Sequence, residues 1–254
     1  LGVIMYIPLL FFIGLVWGQD CTADDGTEGV ELWGECYSIE NTTALDLSYN
    51  GVTGAIPPEI GNLVNLNSLI LKENQLNGEI PPEISYLTNL TQLDLGGNQF
   101  TGEIPPEISY LTNLNILDLA GNQFTGALPP EIGTLTSLTD LALSNNQLSG
   151  EIPAEICELT NLGFLALWGN DLQGEIPSCI GNLTNLYLLE FFDNNLEGEI
   201  PSGIWGLTNL DVLWLSKNYF TGEISPEIGN LTNLGYLNLW DNQLTGEIPS
   251  EIGG

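Results

Sequence analysis

The sequence repeats itself every 24 residues from Leu45 to its end. The repeats begin, without insertion or deletion, at Leu45, Leu69, Leu93, Leu117, Leu141, Leu165, Leu189, Leu213 and Leu237. A fixed period of this length is typical of a solenoid, in which each repeat forms one coil that packs against its neighbours. The period therefore predicts nine coils that share one core, with the ninth incomplete, and overrides the one or two globular domains that 254 residues would otherwise suggest.

The repeat starting at Leu93 shows the pattern within a coil. Its first and third residues are apolar and the second varies, which predicts a short strand. An asparagine follows three residues after this triplet, and a glycine stands four residues further on, before Ile-Pro in most coils. Apolar residues then recur at spacings of three, as in Ile108, Leu111 and Leu114, which suits a short 3₁₀ turn with one face inward. We expect about eight inward positions in each coil.

The repeated asparagines predict a structural ladder. A chain that turns within a solenoid leaves backbone donors and acceptors without strand partners, and a stacked asparagine amide can satisfy them in coil after coil. We expect this role, ahead of any ligand role, for Asn50, Asn74, Asn98, Asn122, Asn146, Asn170, Asn194, Asn218 and Asn242.

The pattern LxxLxLxxNxLxGxIPxxIxxLxN resembles the plant-specific type of leucine-rich repeat, which occurs in ectodomains of plant receptor-like kinases, in polygalacturonase-inhibiting proteins and in bacterial secreted proteins. The preceding segment, with its LWGEC motif, resembles the cysteine-bearing N-terminal cap of that family. The resemblance implies an α/β repeat solenoid: a right-handed horseshoe with a parallel β-sheet on the concave face, short 3₁₀ or irregular segments on the convex face, and ligand recognition by exposed strand residues. It implies no kinase, because nothing in the sequence codes for one.

The regions outside the repeats predict export. Residues 1–18 are almost wholly apolar and stop at Gln19, which predicts a signal peptide, with an uncleaved anchor as the alternative. The chain lacks an initial Met and a basic leading region, so we expect a fragment, or a start at Met5. The ninth repeat ends without a cap, so we expect a longer natural protein that is secreted or held at the cell surface. The predicted regions are a possibly truncated signal peptide at 1–18, an N-terminal cap at 19–44 and a leucine-rich-repeat domain at 45–254.

The four cysteines favour disulfides over catalysis in an exported protein. Cys21 and Cys36 flank the segment before the first repeat, and we predict that they close a small loop. Cys157 and Cys179 lie in neighbouring repeats but two positions out of register, so a second bridge is an open alternative.

The charge balance excludes several classes of function. The chain has 33 Asp and Glu residues against Lys72 and Lys217, with no Arg or His, and a net charge of -31. Nucleic acid and anionic membrane surfaces are excluded as partners because both require a basic face. Cations, high salt or a basic partner would relieve the self-repulsion. We expect no enzyme and no catalytic residue, since the usual general bases and oxyanion clamps are missing, although carboxylate pairs alone can serve a glycosidase.

Many of the glutamates fall into two columns along the solenoid. One column follows the repeated glycine: Glu79, Glu103, Glu151, Glu175, Glu199, Glu223 and Glu247. The other follows the proline turn: Glu59, Glu83, Glu107, Glu131, Glu155, Glu227 and Glu251. Coils stack about 4.8 Å apart, so neighbouring carboxylates repel unless they splay. A solvated acidic flank is the simpler interpretation, and loose divalent-cation bridging is the alternative. We predict no other cofactor and no dedicated metal site.

The variable strand positions divide the chain into two halves. In the first half they are small or acidic: Asp46, Asp94, Gly96, Asp118, Ala120, Ala142 and Ser144. From the sixth repeat they form the predicted ligand site: Phe164, Trp168, Tyr187, Glu190, Phe192, Trp214, Tyr236 and Trp240, with Asp193, Lys217 and Asp241 at its margin. Alternation places these side chains on one sheet face and brings Trp168, Phe192 and Trp214 into contact. A ladder that only stabilises the sheet is the alternative.

These patterns predict an extracellular module that binds a protein, peptide or glycan through the aromatic half of its concave face. The alternative is a structural or adhesive surface protein whose coils self-associate with the help of cations. A third hypothesis is a surface that matches an ice or mineral lattice through flat ladders of threonine and glutamate. The N-x-T sequons at Asn41, Asn89, Asn182 and Asn230 carry little weight, because most arise from the repeated string NLT.

Overall fold

The structure is a computed structural model that describes residues 20–253. The predicted signal peptide at residues 1–18 lies outside the described residues. Within the described range, no helix combines the length and the apolar composition that a bilayer-crossing segment needs. Coils are numbered 1 to 9 from the nine leucines that begin the repeats.

One long parallel sheet, called here the concave sheet, contains a strand from every coil between residues 44 and 238. Its strands follow chain order, and the leucine that begins each coil pairs in register with the same leucine of the next, as in Leu117 with Leu141. The fixed period explains this register, since equivalent residues of successive coils always lie 24 positions apart. The strands are Ala44–Asp46, Ser68–Ile70, Gln92–Asp94, Ile116–Asp118, Asp140–Ala142, Phe164–Ala166, Leu188–Glu190, Val212–Trp214 and Tyr236–Asn238.

A second set of parallel strands, called here the second row, follows the asparagines and was not predicted from the sequence. The glycine in this segment has a positive φ, for example 80° at Gly78, and its carbonyl accepts from the next coil, where Thr101 N donates at 2.8 Å. The segment therefore forms hydrogen bonds to the same segment of the next coil in addition to reversing the chain direction. The strands are Thr53–Gly54, Gln75–Gly78 and Gln99–Phe100, then Ser149–Glu151, Asp171–Gly174, Asn195–Glu199 and Tyr219–Thr221.

The convex side consists of single-turn 3₁₀ helices, as the apolar spacing predicted. In coil 1 the helix starts after Pro57, which is extended with a φ of -67° and a ψ of 142°, and it ends where Leu63 N donates to Ile60 O at 3.1 Å. The described residues contain no α-helix, because the chain between proline and the next leucine is too short for one. The 3₁₀ helices are Pro58–Asn62, Pro82–Tyr86, Pro106–Tyr110, Pro130–Thr134, Ala154–Glu158, Ser178–Asn182, Ser202–Gly206, Pro226–Asn230 and Ser250–Gly253.

The core runs the length of the solenoid. Each of coils 2 to 7 buries at least seven apolar side chains, close to the eight inward positions expected from the sequence. In coil 3 the seven are Leu93, Leu95, Phe100, Ile104, Ile108, Leu111 and Leu114. Burial of one leucine or isoleucine contributes about 2 kcal/mol. At the N-terminal end, Val30 and Leu32 of the cap strands Asp20–Thr22, Glu28–Leu32 and Glu35–Ser38 join this core. The predicted α/β repeat solenoid of the leucine-rich-repeat type is confirmed.

The asparagine ladder is confirmed for every coil after the first. In coil 3, Asn98 Oδ1 accepts from Leu76 N at 3.0 Å, and Nδ2 donates to the carbonyls of Leu71 and Leu95, both at 3.0 Å. Asn50 was predicted to belong to the ladder and does not: its side chain is exposed and finds no hydrogen-bond partner among residues 20–253. The reason is geometric, because the ladder amide bonds to the preceding coil and coil 1 has none.

A second asparagine ladder on the convex side was missed in the sequence. In coil 3, Asn113 Nδ2 donates to Thr88 O of the preceding coil at 2.8 Å. The signal was present in the repeated TNL string, in which the asparagine recurs in every coil that reaches this position except coil 4, which has Ser137. The other members are Asn65, Asn89, Asn161, Asn185, Asn209 and Asn233.

Both disulfides form. Cys21 and Cys36 are joined across the cap strands, as predicted, with their Cα atoms 6.1 Å apart. Cys157 and Cys179, left open by the sequence, are also joined, with their Cα atoms 5.9 Å apart. The second bridge links the 3₁₀ helices of coils 5 and 6. The two-position offset is therefore compatible with pairing between stacked helical turns.

Candidate functional site

The first half of the concave sheet carries a pair of carboxylates beside small residues. Asp94 and Asp118 pair in register on neighbouring strands. A methyl group built on Gly96 would lie 3.4 Å from Asp94 Oδ1 and 3.2 Å from Asp118 Oδ1, so the two carboxylates converge on the same point. Lys72 Nζ lies 3.6 Å from Asp94 Oδ2. The positive charge of Lys72 therefore compensates the negative charge of Asp94, whose side chain is buried.

The negative charge of Asp118 is less well compensated than that of Asp94. Burial raises the pKa of the Asp118 carboxyl; the backbone N–H of Ala120 opposes that rise and the charge of Asp94 adds to it. One coil further on, the buried Oγ of Ser144 has no hydrogen-bond partner among the described residues. The first half is therefore an acidic surface of short side chains.

The second half carries the predicted aromatic contacts. The Trp168 and Phe192 rings lie parallel with their centroids 5.0 Å apart. The Phe192 and Trp214 rings meet edge to face with their centroids 5.7 Å apart. All three side chains are half-buried. Trp168, Phe192 and Trp214 are called here the aromatic surface.

Other predicted residues extend this surface. Tyr236, the last residue of coil 8, and Trp240 of coil 9 are exposed, with 62% and 58% of their surface accessible, and Phe164, the last residue of coil 5, is half-buried. Phe164 and Tyr236 begin the sixth and ninth strands of the concave sheet and Trp240 follows the ninth, so aromatic side chains occur from the sixth strand to the ninth.

Tyr187 belongs to the site for a different reason from the one predicted. It precedes its strand and is outside the alternating set of outward residues. Its ring covers Gly163, where an added methyl group would lie 2.8 Å from the ring carbon Cε1, and it reaches the carboxylate of Asp140 two coils away. Burial raises the pKa of the Tyr187 hydroxyl, and the charge of Asp140 and a hydrogen bond to it add to the rise.

Glu190 lies among the aromatic residues. Its strand pairs it with Trp214 on one side and with Ala166 on the other, and Phe192 follows two residues later on the same face. The side chain is half-buried, and burial alone raises the pKa of its carboxyl.

The margin of the concave sheet has a backbone requirement that the sequence reasoning missed. The fifth residue of each coil adopts a left-handed conformation, and coils 3, 4 and 6 use glycine there. Asp193, Lys217 and Asp241 adopt it with φ values of 59°, 52° and 56° despite having side chains. Lys217 Nζ lies 3.5 Å from Asp193 Oδ2. The recurring glycines were the available signal. The other positions of this kind are Tyr49, Glu73 and Asn145.

The glutamate columns lie on exposed flanks. In the first column, the stem of every glutamate except Glu247 covers the glycine of the following coil, as Glu79 covers Gly102. Within residues 20–253, no three acidic, histidine or cysteine side chains converge in a way that suits a metal ion. Loose cation bridging by pairs of carboxylates stays a prediction.

Comparisons with known proteins agree with this geometry. Three leucine-rich-repeat family models match the chain: "Leucine rich repeat" at residues 40–100, "Leucine Rich repeats (2 copies)" at residues 88–132 and "Leucine-rich repeat region" at residues 140–248. The fold and these matches define a leucine-rich-repeat solenoid. No curated protein matches the chain.

Solved structures show which leucine-rich-repeat proteins this chain is similar to. The chain is 40% identical to the leucine-rich-repeat ectodomain of the Arabidopsis thaliana receptor kinase GASSHO1/SCHENGEN3, solved with CASPARIAN STRIP INTEGRITY FACTOR 2, with a TM-score of 0.80 over 84% of this chain and 26% of that one. It is 39% identical to the Arabidopsis receptor kinase HAESA, solved with the peptide hormone IDA and the co-receptor SERK1, with a TM-score of 0.80 over 83% of this chain and 35% of that one. The chain belongs to the leucine-rich-repeat proteins and resembles plant receptor-kinase ectodomains, but spans only about a third or less of these two.

A third solved structure is of more similar length. A plant ice-binding protein is 28% identical to this chain, with a TM-score of 0.69, and the match covers 91% of this chain and 77% of that one.

Proposed function

We propose that this protein is an extracellular recognition module that binds an extended peptide segment across the concave sheet of coils 6 to 9. The observation that carries the proposal is the aromatic surface, in which three half-buried rings touch across three successive coils. Rigid aromatic side chains in such a group supply most of the binding energy at many protein interfaces.

The similar structures support a peptide ahead of a glycan. GASSHO1/SCHENGEN3 was solved with an integrity factor and HAESA with a peptide hormone. A parallel sheet built from one strand per coil presents side chains at regular intervals of about 4.8 Å, which suits a ligand that lies across the strands. Two disulfides fit an oxidising compartment outside the cytoplasm. A role in binding and not in catalysis accords with the lack of histidine and arginine.

The test is selection of peptides from a phage-displayed library of random linear sequences on the immobilised protein. Selected peptides are then titrated against the wild type and against a variant with Trp168→Ser, Phe192→Thr and Trp214→Ser. We expect at least about a hundredfold loss of affinity, since hot-spot residues each contribute about 2 kcal/mol or more.

The matched control removes aromatic side chains from the other side of the solenoid. Tyr86 and Tyr110 stand at equivalent positions on the convex side and expose 62% and 64% of their surface. The double variant Tyr86→Ser/Tyr110→Ser should keep wild-type affinity. Unchanged binding by the concave variant, together with a lowered melting temperature, would show that the aromatic surface only stabilises the sheet. A selection that enriches no peptide, followed by binding in a glycan array, would replace the peptide with a glycan.

Ice binding is a second candidate, favoured by the plant ice-binding protein among the similar structures. Exposed threonines recur at one position of several coils, in or beside the second row, and form the regular array that this candidate requires: Thr53, Thr101, Thr125, Thr221 and Thr245. Measurement of thermal hysteresis and of ice recrystallisation checks this candidate. The variant Thr101→Lys/Thr125→Lys should abolish an activity located there, whereas Tyr86→Lys should not.

The structural or adhesive role makes a separate prediction. Its coils would self-associate, and millimolar calcium would promote assembly through the glutamate columns. Light scattering against protein concentration, with calcium and with EDTA at matched ionic strength, distinguishes it from the recognition module, which we expect to remain monodisperse in both.

A further inference from the structure

Glu190 differs from the other carboxylates on the concave sheet because nothing in the described chain compensates its charge. The two lysines pair elsewhere, Lys72 with Asp94 and Lys217 with Asp193. Asp46 and Asp118 accept hydrogen bonds from their own strands, whereas for Glu190 burial raises the pKa with no hydrogen bond or cation acting in the opposite direction. A half-buried carboxylate in this condition destabilises the folded protein, because it has lost water without gaining a partner.

The surroundings of Glu190 suit a cation. Trp214 is its register partner on the next strand, and Phe192 lies two residues further along the same strand face. Trp168 stacks on Phe192 and continues the aromatic surface on the other side. Aromatic faces attract ammonium and guanidinium groups, and the attraction increases when the cation is partly removed from water. An uncompensated carboxylate on the same sheet face as three aromatic rings therefore matches a group that combines positive charge with an apolar stem.

We propose that Glu190 and the aromatic surface of Trp168, Phe192 and Trp214 form a subsite for a lysine or arginine side chain of the bound peptide. This inference rests on the proposed recognition of a peptide by the concave sheet. The stem of the basic side chain packs on the rings, and its charged end binds the Glu190 carboxylate. The bound cation thereby compensates the charge of Glu190, which no side chain among the described residues does.

Long-range electrostatics favour the same ligand. The net charge of -31 attracts basic segments and repels acidic or phosphorylated ones. That attraction is spread over the whole molecule, however, whereas the subsite is local. A suitable test must therefore separate the effect of Glu190 from that of total charge.

The test uses capped amino acids as probes: N-acetyl-lysine N-methylamide, its arginine counterpart and the neutral N-acetyl-norleucine N-methylamide. Each is titrated into wild-type protein, Glu190→Gln and Glu199→Gln, with tryptophan fluorescence and NMR chemical shifts as readouts. Glu199 belongs to the same coil but to an exposed glutamate column, so its substitution makes the same change in net charge. n-Butylammonium chloride serves as a cation without a peptide backbone.

We expect the basic probes to bind the wild type and Glu199→Gln equally, and Glu190→Gln about tenfold more weakly, as loss of one charge-assisted contact implies. Norleucine should bind all three proteins equally weakly. If Glu190→Gln and Glu199→Gln weaken binding of the basic probes equally, the effect is one of net charge alone and the subsite is wrong. Butylammonium carries the same stem and charge as a lysine side chain, so its binding should also weaken on Glu190→Gln and not on Glu199→Gln. Butylammonium binding that is insensitive to Glu190→Gln would overturn the subsite.

Failure of the subsite and failure of the proposed function remain distinguishable. If selected peptides lose affinity on removal of the aromatic surface but not on Glu190→Gln or on replacement of their basic residues by norleucine, recognition stands and the subsite is wrong. If neither the peptides nor the capped probes bind, both proposals are wrong.

Discussion

Coils 2 to 5 and coils 6 to 9 are built on the same scaffold and present different chemistry. In both groups the strands pair in register and the buried asparagines make the same bonds, as Asn98 and Asn218 do. The first group presents aspartates and small residues, with Asp94 paired to Lys72. The second presents touching aromatic rings around an uncompensated Glu190. The comparison shows that the repeat fixes the coil and leaves the outward strand positions free to vary.

The largest expected effect on stability comes from the buried asparagines, and it tests whether the scaffold is equivalent in the two groups of coils. Asn98→Ala and Asn218→Ala each remove four hydrogen bonds made by a buried amide and leave one backbone N–H of the preceding coil, that of Leu76 or of Leu196, without its partner. We expect each to lower the free energy of unfolding by about 3 kcal/mol. Urea unfolding followed by circular dichroism gives both values. A difference between the two greater than about 1 kcal/mol would contradict a common scaffold.

The aromatic surface should contribute less to stability than an asparagine of the ladder. Two aromatic contacts are lost in the variant with Trp168→Ser, Phe192→Thr and Trp214→Ser, so we expect a destabilisation of about 2 kcal/mol. Lys72→Ser/Asp118→Ser is the counterpart in the first half and should leave peptide affinity unchanged. Thermal unfolding and the peptide titration check both statements. Loss of affinity in the counterpart would mean that the ligand covers both halves.

Removal of the charge of Glu190 should stabilise the free protein. Because burial raises the pKa of its carboxyl, the folded state binds the proton more tightly than the unfolded chain, and stability falls as pH rises through the raised value. Glu190→Gln should therefore melt about 1 to 2 °C higher at neutral pH, a small effect because the side chain is partly exposed. The difference should vanish below the ordinary pKa of glutamate.

Asp118→Asn is the matched change in the first half, where burial also raises the pKa of the carboxyl. It should shift the melting temperature in the same direction with the same pH dependence. Only Glu190→Gln should also weaken binding of basic probes. Melting curves from acid to neutral pH check both variants, and a lower melting temperature for Glu190→Gln at neutral pH would show that the carboxylate has a stabilising partner.

The smallest effect concerns the left-handed position at the margin of the sheet. Glu73 in the first half and Lys217 in the second have φ values of 54° and 52°, which disfavour a residue with a side chain. Glu73→Gly and Lys217→Gly should each stabilise the protein by about 0.5 kcal/mol, after the larger unfolded-state entropy of glycine is included. Urea unfolding checks this. A destabilised Lys217→Gly would show that its ion pair with Asp193 outweighs the relief of strain.

Much of the fold was predictable because each coil restates the same constraints. The leucine spacing gave the strands and the core, and the asparagine column gave the ladder. The second row could not be seen, since its strands are short and their pairing depends on glycine carbonyls of a neighbouring coil, as with Thr101 and Gly78. Asn50 was wrongly included because a repeat pattern does not show that the first coil lacks a predecessor.

The candidate site was predictable only in part. Alternation correctly placed Trp168, Phe192 and Trp214 on one sheet face. Trp168 and Phe192 occupy equivalent positions of adjacent coils, whereas Trp214 lies two residues earlier in its coil and pairs in register with Glu190. It did not explain Tyr187, whose contact with Asp140 spans two coils and requires the gap at Gly163. Contacts between positions that are not equivalent depend on side-chain length and on what lies between them. The ligand-binding role of these residues stays a prediction.

The sequence alone determined the coil, the continuous core, the acidic character of the surface and the difference between the two halves, since each is a property of position within the repeat. Only the tertiary structure decided which charges are compensated. Lys72 reaches Asp94 and Lys217 reaches Asp193, whereas Glu190 is half-buried between Trp214 and Ala166 with no charged partner among residues 20–253. Compensation depends on distances of a few ångströms between side chains of different coils, and a one-dimensional period does not contain those distances.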